Sequence, residues 1–246
     1  MTKKRFKNEK FNNLAVIEHQ FKAEVNEDAN VSNLTIYGDI GESWWGESTS
    51  ASDVEKALKS ITSDTINVFI NSGGGDAFDG IAIYNQLKNH PAKVIVHVDG
   101  LAASAASLIA MAADDLVMNI GSMLMIHEAS TIAWGTKSDI QKTLNALEGI
   151  DKSIADIYMT RYTGEREEIV SLIEAESWLT AGEAVELGLA DRVNEKSKVV
   201  DPEEVKNVIL SKFRNKNTPQ HGVIAASVTQ SSTKNILDQF KRNSNE

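Results

Sequence analysis

Three stretches of the chain carry the apolar pattern of a strand. Asn33 to Ile40 alternates apolar and polar positions and ends at glycines, while Thr65 to Asn71 and Lys93 to Val98 are rich in β-branched residues. Between them the period lengthens to that of helices. Asp53 to Ser60 follows two candidate caps, Ser50 and Ser52, and a second helix carries apolar positions at Phe78, Ile81, Ile83, Tyr84 and Leu87. Ala103 to Ala113, mostly Ala, Ser, Leu and Met, predicts a tightly packed helix, with Gly100 as the turn that leads into it. Leu116 to Asn119 and Ser122 to Glu128 predict two short strands, and Ala129 to Gly135 a loop. Alternation of this kind is that of an α/β layered domain.

The longest periodic segment is Lys137 to Tyr162, with Ile140, Leu144, Leu147, Ile150, Ile154, Ile157 and Tyr158 at near-helical spacing. It carries more apolar residues than one small sheet covers. A further helix is predicted from Glu165 to about Ile173, then a loop or short strand over Glu174 to Leu179. Thr180 and Glu183 form a Thr-x-x-Glu capping pair for another helix, and Ala190 to Val193 reads as a last strand. Residues 1–31 read as an irregular N-terminal arm with one strand at most, and 32–198 as the folded domain. Residues 199–246 read as a charged helix, Pro202 to Phe213, followed by a flexible polar tail. Trp44-Trp45 falls in a polar loop.

Composition narrows the chemistry. In 246 residues there is no cysteine, which excludes disulfides and thiolate metal sites. A net charge of −10 argues against a general nucleic-acid binder. The basic start lacks the apolar core of a secretory signal, and no stretch is long and apolar enough for a membrane span, so the expected location is cytoplasmic. No metal or cofactor is expected.

Two features attract chemistry. Ser104 stands at a strand–helix junction, where unpaired N–H groups favour negative charge, a good place for a nucleophile whose attack creates an oxyanion. Ser72-Gly73-Gly74-Gly75-Asp76 is a glycine run that suits close backbone approach, yet it lacks the phosphate-loop and dinucleotide patterns. Of five histidines, His97 lies inside a strand, His90 precedes a proline, and His19 and His221 fall in weakly structured regions. His127 ends an apolar strand, where α/β proteins present reactive groups. Ser104, His127 and an acid from Glu174 to Glu176 would make a Ser–His–acid set; spacing alone leaves open whether they meet.

The segments Ile70-Asn71-Ser72-Gly73-Gly74-Gly75, Gly100 to Ser107, Met125-Ile126-His127-Glu128 and Trp178 to Asp191 resemble the proteolytic subunit of Clp protease (ClpP), in order and spacing, over residues 33 to 195. Tyr37-Gly38-Asp39-Ile40, the Trp44-Trp45 loop, the Glu-x-Trp before the capped helix and the polar C-terminal extension resemble the phage head-maturation branch of that superfamily. The resemblance implies a ClpP/crotonase-like superhelix of β-β-α units with a long handle helix. It also implies a serine endopeptidase with Ser104 as nucleophile, His127 as base, and oxyanion N–H groups from Gly75 and Ala105, with Gly74 shaping the loop. Position 73 departs from the family's usual proline. For the third member the resemblance implies a carboxylate from this region, and with the usual aspartate missing the expected one is Glu176, with Glu174 as the alternative.

The partners so implied are protein substrates (scaffold or capsid protein), and copies of the chain in a hexameric or heptameric ring, single or stacked in two. The location would be host cytoplasm or procapsid interior. The alternatives are a housekeeping Clp subunit served by an ATP-driven unfoldase, a crotonase-like acyl-CoA enzyme, and a non-catalytic ring protein.

Overall fold

The computed structural model describes residues 17–26, 28–42 and 47–194. The Trp44-Trp45 loop, most of the N-terminal arm, and the expected charged helix and tail lie outside the described residues. β1 (Gln20–Asn26) and β2 (Val31–Ile40) form an antiparallel pair, followed by α1 (Ala51–Ser60), β3 (Thr65–Gly75), α2 (Ala77–Lys88) and β4 (Lys93–Ala103). Next come α3 (Ala105–Ala110), β5 (Asp115–Asn119), β6 (Met123–Ile126) and the long α4 (Lys137–Met159). α5 (Arg166–Glu174), β7 (Ser177–Thr180), α6 (Ala181–Glu186) and β8 (Arg192–Asn194) complete the order.

The sheet runs β1-β2-β3-β4-β5-β8 and is parallel from β2 onward. β4 forks: Ile95 to Val98 pair with β5, whereas Leu101 to Ala103 pair with β6, which in turn pairs antiparallel with β7. Strict alternation in β2, β3 and β4 explains the layering. Leu34, Ile36, Ile66, Val68, Ile70, Val94, Val96 and Val98 face a common core with Ile83, Leu87, Leu108 and Ile109, all buried. The opposite face keeps its side chains half-buried; there His97 stacks on Phe69 with centroids 5.0 Å apart, and burial holds its pKa down.

Ser50, rather than Ser52, caps α1, in a reciprocal pair with Asp53. The Thr180–Glu183 pair caps α6 as its spacing predicts, and Thr136 with Asp139 caps α4. Several expectations need correction. β4 runs straight through Gly100, and the turn falls at Ser104 instead. Gly100 serves close approach, because a Cβ there would lie 2.9 Å from Asn71 Oδ1, which accepts the Leu101 N–H. β3 likewise extends to Gly75, since its glycines still pair with β2. α3 is only six residues long, its end tightened by i,i+3 bonds from Ala112 to Ile109 and Ala113 to Ala110. Phe78 points outward from the first turn of α2, and α4 stops at Met159, three residues short of Tyr162. His19 is placed by Thr49, its Nε2 lying 3.3 Å from the hydroxyl.

Candidate active site

The fork in β4 builds the centre. Ser104 follows its last paired residue and has φ 55 and ψ −124, a conformation that costs a non-glycine residue about 1–3 kcal/mol. The Ser104 N–H donates to Met125 O at 2.9 Å, and its carbonyl accepts from Ser107 and Leu108 in the first turn of α3. Pairing on one side and a helix on the other thus hold the strained residue. The result is a sharp elbow that lifts the hydroxyl out of the sheet.

His127 is the first residue past β6, the strand paired with the end of β4. Its Nε2 lies 2.8 Å from Ser104 Oγ. In the tautomer with its proton on Nδ1, Nε2 accepts the serine proton, the arrangement a general base needs.

The glycine run abuts this elbow. A Cβ on Gly74 would lie 2.6 Å from Ala103 O, 2.7 Å from Ser104 Cβ and 3.0 Å from Ala105 N, so only glycine lets β3 approach the serine this closely. The Gly74 N–H is spent on Ser72 Oγ at 3.0 Å, which pins the run. Gly75 packs on Ile40, whose oxygen would lie 1.9 Å from an added Cβ. Ala105 opens α3 immediately after the serine. The sequence-predicted residues of the glycine run and the elbow are therefore brought together.

The two candidate acids part company. Glu174 ends α5 and is exposed, whereas Glu176 is buried and has φ 55. The β6–β7 ladder ends at the Ile126–Ser177 pair, and His127 and Glu176 are the residues that flank that last pair, one on each strand end. Trp178 Nε1 donates to Glu176 Oε1 at 3.4 Å.

Three residues near the centre carry no role in the reading of the motifs. Ser107 Oγ donates to Ser104 O at 2.6 Å and lies 2.7 Å from the hydroxyl of Tyr158, a fully buried residue of α4. Asp151, also on α4, accepts the Ala129 N–H at 2.8 Å, two residues beyond His127. Burial, with the Glu128 charge adding to it, pushes the Asp151 carboxyl above its usual range despite the Ala129 N–H and the nearby imidazole. The signal for Asp151 was present: a carboxylate in the same helical stripe as Leu144, Leu147, Ile154 and Tyr158.

Among the described residues no group of three or more His, Asp or Glu is disposed to hold a metal ion, and no helix is long and apolar enough to cross a membrane.

Comparison with known proteins points to one family. A proteolytic subunit 1 of ATP-dependent Clp protease from Streptomyces avermitilis is 34% identical over 140 residues, covering 56% of this chain and 64% of that protein. A proteolytic subunit 3 from Rhodococcus jostii is 31% identical over 130 residues, covering 52% of this chain and 64% of that protein. The chain thus spans just under two thirds of the length of these relatives. Among solved structures, a ClpP1 mutant from Listeria monocytogenes superposes with a TM-score of 0.54 at 28% identity, over 67% of this chain and 92% of that one. The profile of the Clp protease family matches residues 47–197, a span that holds the glycine run, the Ser104 elbow, His127 and both glutamates, and the chain belongs to that family.

Proposed function

We propose that the chain is a serine-type endopeptidase. The observation that carries this reading is the 2.8 Å contact between Ser104 Oγ and His127 Nε2 at a backbone elbow held in a costly conformation. Ser104 Oγ attacks the scissile carbonyl carbon while its proton passes to His127 Nε2. The carbonyl oxygen takes the electron pair and is met by the N–H groups of Gly75 and Ala105, with Gly74 shaping the loop between them. His127 then gives its proton to the leaving amine, leaving an acyl-enzyme on Ser104. Water, deprotonated by His127, releases the acid and restores the serine. Glu176 orients the imidazole and balances its charge; its burial and its place beside the last β6–β7 pair, which His127 flanks from the other strand, support it over Glu174. Each step uses side chains and backbone of this chain, without a cofactor.

The test is covalent. A fluorophosphonate probe adds to Ser104 of the wild type and not to Ser104→Ala, and peptide hydrolysis falls on the order of 10³-fold or more in that variant. Near-wild-type turnover in Ser104→Ala would overturn the mechanism. The same labelling separates a peptidase from a crotonase-like acyl-CoA enzyme or a non-catalytic ring protein, neither of which needs the serine and histidine together.

The finer reading is a phage head-maturation protease that cleaves scaffold or capsid protein within a procapsid. Its support is the resemblance in Tyr37-Gly38-Asp39-Ile40, in Glu176-Ser177-Trp178 and in the polar extension beyond the 32–198 peptidase domain. A housekeeping subunit working with an ATP-driven unfoldase is the second reading, favoured by the names of the relatives above. Co-expression with neighbouring capsid genes, followed by mass spectrometry of wild type against Ser104→Ala, distinguishes them: Ser104-dependent cleavage of capsid or scaffold protein supports the first. In either case the active form is a closed homo-oligomeric ring, hexameric or heptameric, single or stacked in two, with Ser104 facing inward.

A further inference from the structure

We infer that Asp151 and Tyr158 are positioning residues, by which one face of α4 holds His127 and Ser104 in register with each other. This rests on the reading of Ser104 and His127 as nucleophile and base.

Residues 151 and 158 are seven apart, nearly two full turns, and so share a face of the helix. Each grips a different member of the pair. β6 ends at Ile126, so His127 has already left the strand; two residues on, the Asp151 carboxylate takes the Ala129 N–H at 2.8 Å. At the other end the link runs through Ser107. That hydroxyl has one proton, donated to Ser104 O at 2.6 Å, so the Tyr158 hydroxyl donates to Ser107 Oγ across 2.7 Å. The elbow carbonyl of Ser104 is thereby tied to α4 by a buried chain of two hydroxyls.

Packing alone does not account for these residues. A phenylalanine would fill the Tyr158 site with no buried hydroxyl to satisfy, and an aliphatic residue would continue the stripe at 151 without a carboxylate whose burial is unfavourable. What both polar groups add is a fixed distance. The serine sits after β4 and the histidine after β6, and α4 contacts the segments that carry both. Misplacement of reacting groups by about 1 Å costs about 10²-fold in rate, which makes such a common reference valuable.

The experiment compares full-length wild type, Tyr158→Phe, Asp151→Ala and Asp151→Asn. Competent sites are counted with a fluorophosphonate probe, and kcat and KM for a peptide substrate are expressed per counted site. Tyr158→Phe and Asp151→Ala are each expected to lower kcat per site about tenfold with KM changed less than about twofold. Asp151→Asn keeps an acceptor for the Ala129 N–H and should recover kcat to within about threefold of wild type. A merely structural role would lower the melting temperature and the number of competent sites but leave kcat per site intact. That outcome, or no recovery in Asp151→Asn, overturns the inference. A wild type that takes no probe is a different failure, that of the peptidase reading itself.

Discussion

Helix α4 carries one apolar stripe along its length, but its two halves meet different surroundings. In the C-terminal half Ile154, Ile157 and Tyr158 are buried against the core, and the two tethers to the Ser104–His127 pair start here. In the N-terminal half Ile140 and Leu144 are 41% and 48% exposed, and in the loop just before it Ile132 and Trp134 are 93% and 96% exposed. Nothing in the residue types separates the halves. Periodicity encodes which side chains leave water, and among the described residues nothing covers the N-terminal half of this stripe. A second copy of the chain is the cover proposed here. If so, assembly and catalysis meet on one helix, and lesions in the two halves should read out differently.

The largest effect belongs to a change outside α4, which sets the scale. Glu176→Gln leaves both halves of the helix untouched and should lower kcat by about 10²- to 10⁴-fold, as loss of an orienting carboxylate does. Glu174→Gln, at the exposed end of α5, should change it less than about threefold. Equal, small effects from both would reduce the machinery to a serine–histidine pair. Next comes the covered half. Ile154→Ala opens a cavity in the core and should destabilise the fold by about 2–5 kcal/mol, seen as a lower denaturant midpoint with the slope unchanged.

The uncovered half should behave in the opposite way. Ile140→Glu together with Leu144→Glu should leave the unfolding free energy of the isolated chain within about 0.5 kcal/mol, because neither side chain is buried there. Assembly should be lost instead. Sedimentation at micromolar concentration should show the wild type as a ring and the double variant near the 26.9 kDa of one chain. A fully active wild-type monomer would remove the proposed cover, and the argument for an enclosed site with it.

The same contrast marks what could be read from the sequence. Strands β2, β3 and β4, the capping pair at Thr180–Glu183 and the run of α4 follow from local periodicity and local hydrogen bonding, so they were legible, whereas the cap of α1 was narrowed only to Ser50 or Ser52. The Ser104–His127 pair was legible as a strand–helix junction and a strand end, though not as a contact. The turn was misplaced because glycine is the residue that turns most cheaply. The chain instead spends that conformation on Ser104, held on one side by its bond to Met125 O, a contact that no local pattern encodes, and on the other by the first turn of α3. The Tyr158–Ser107 link joins residues 51 apart in sequence and the Asp151–Ala129 link residues 22 apart; no local pattern encodes such pairs. Asp151 alone left a trace, as a charge in an apolar stripe.

That residue yields the smallest and most discriminating effect, because Asp139 in one half of α4 and Asp151 in the other have pKa shifts of opposite sign. Asp139, in the uncovered half, accepts from the Thr136 hydroxyl at 2.7 Å and from the Thr136 N–H at 3.1 Å, which hold its carboxyl below the ordinary 3.8. Its contribution to stability is therefore present above that value and is lost as pH falls through the folded-state pKa. Asp151, in the covered half, is shifted upward by burial, so the unfolded chain ionises before the folded one as pH rises. Its contribution is full below 3.8 and is lost as pH rises through its folded-state pKa, leaving the ionised carboxylate as a cost at neutral pH. Asp139→Asn should thus lower the melting temperature at neutral pH, and Asp151→Asn should raise it while keeping the Ala129 acceptor. Both differences should shrink as the solution is acidified and the wild-type carboxyls become neutral. Melting curves of the three proteins over an acid-to-neutral pH series decide the matter: shifts of the same sign at neutral pH would mean that the two halves of α4 do not differ electrostatically as their surroundings require.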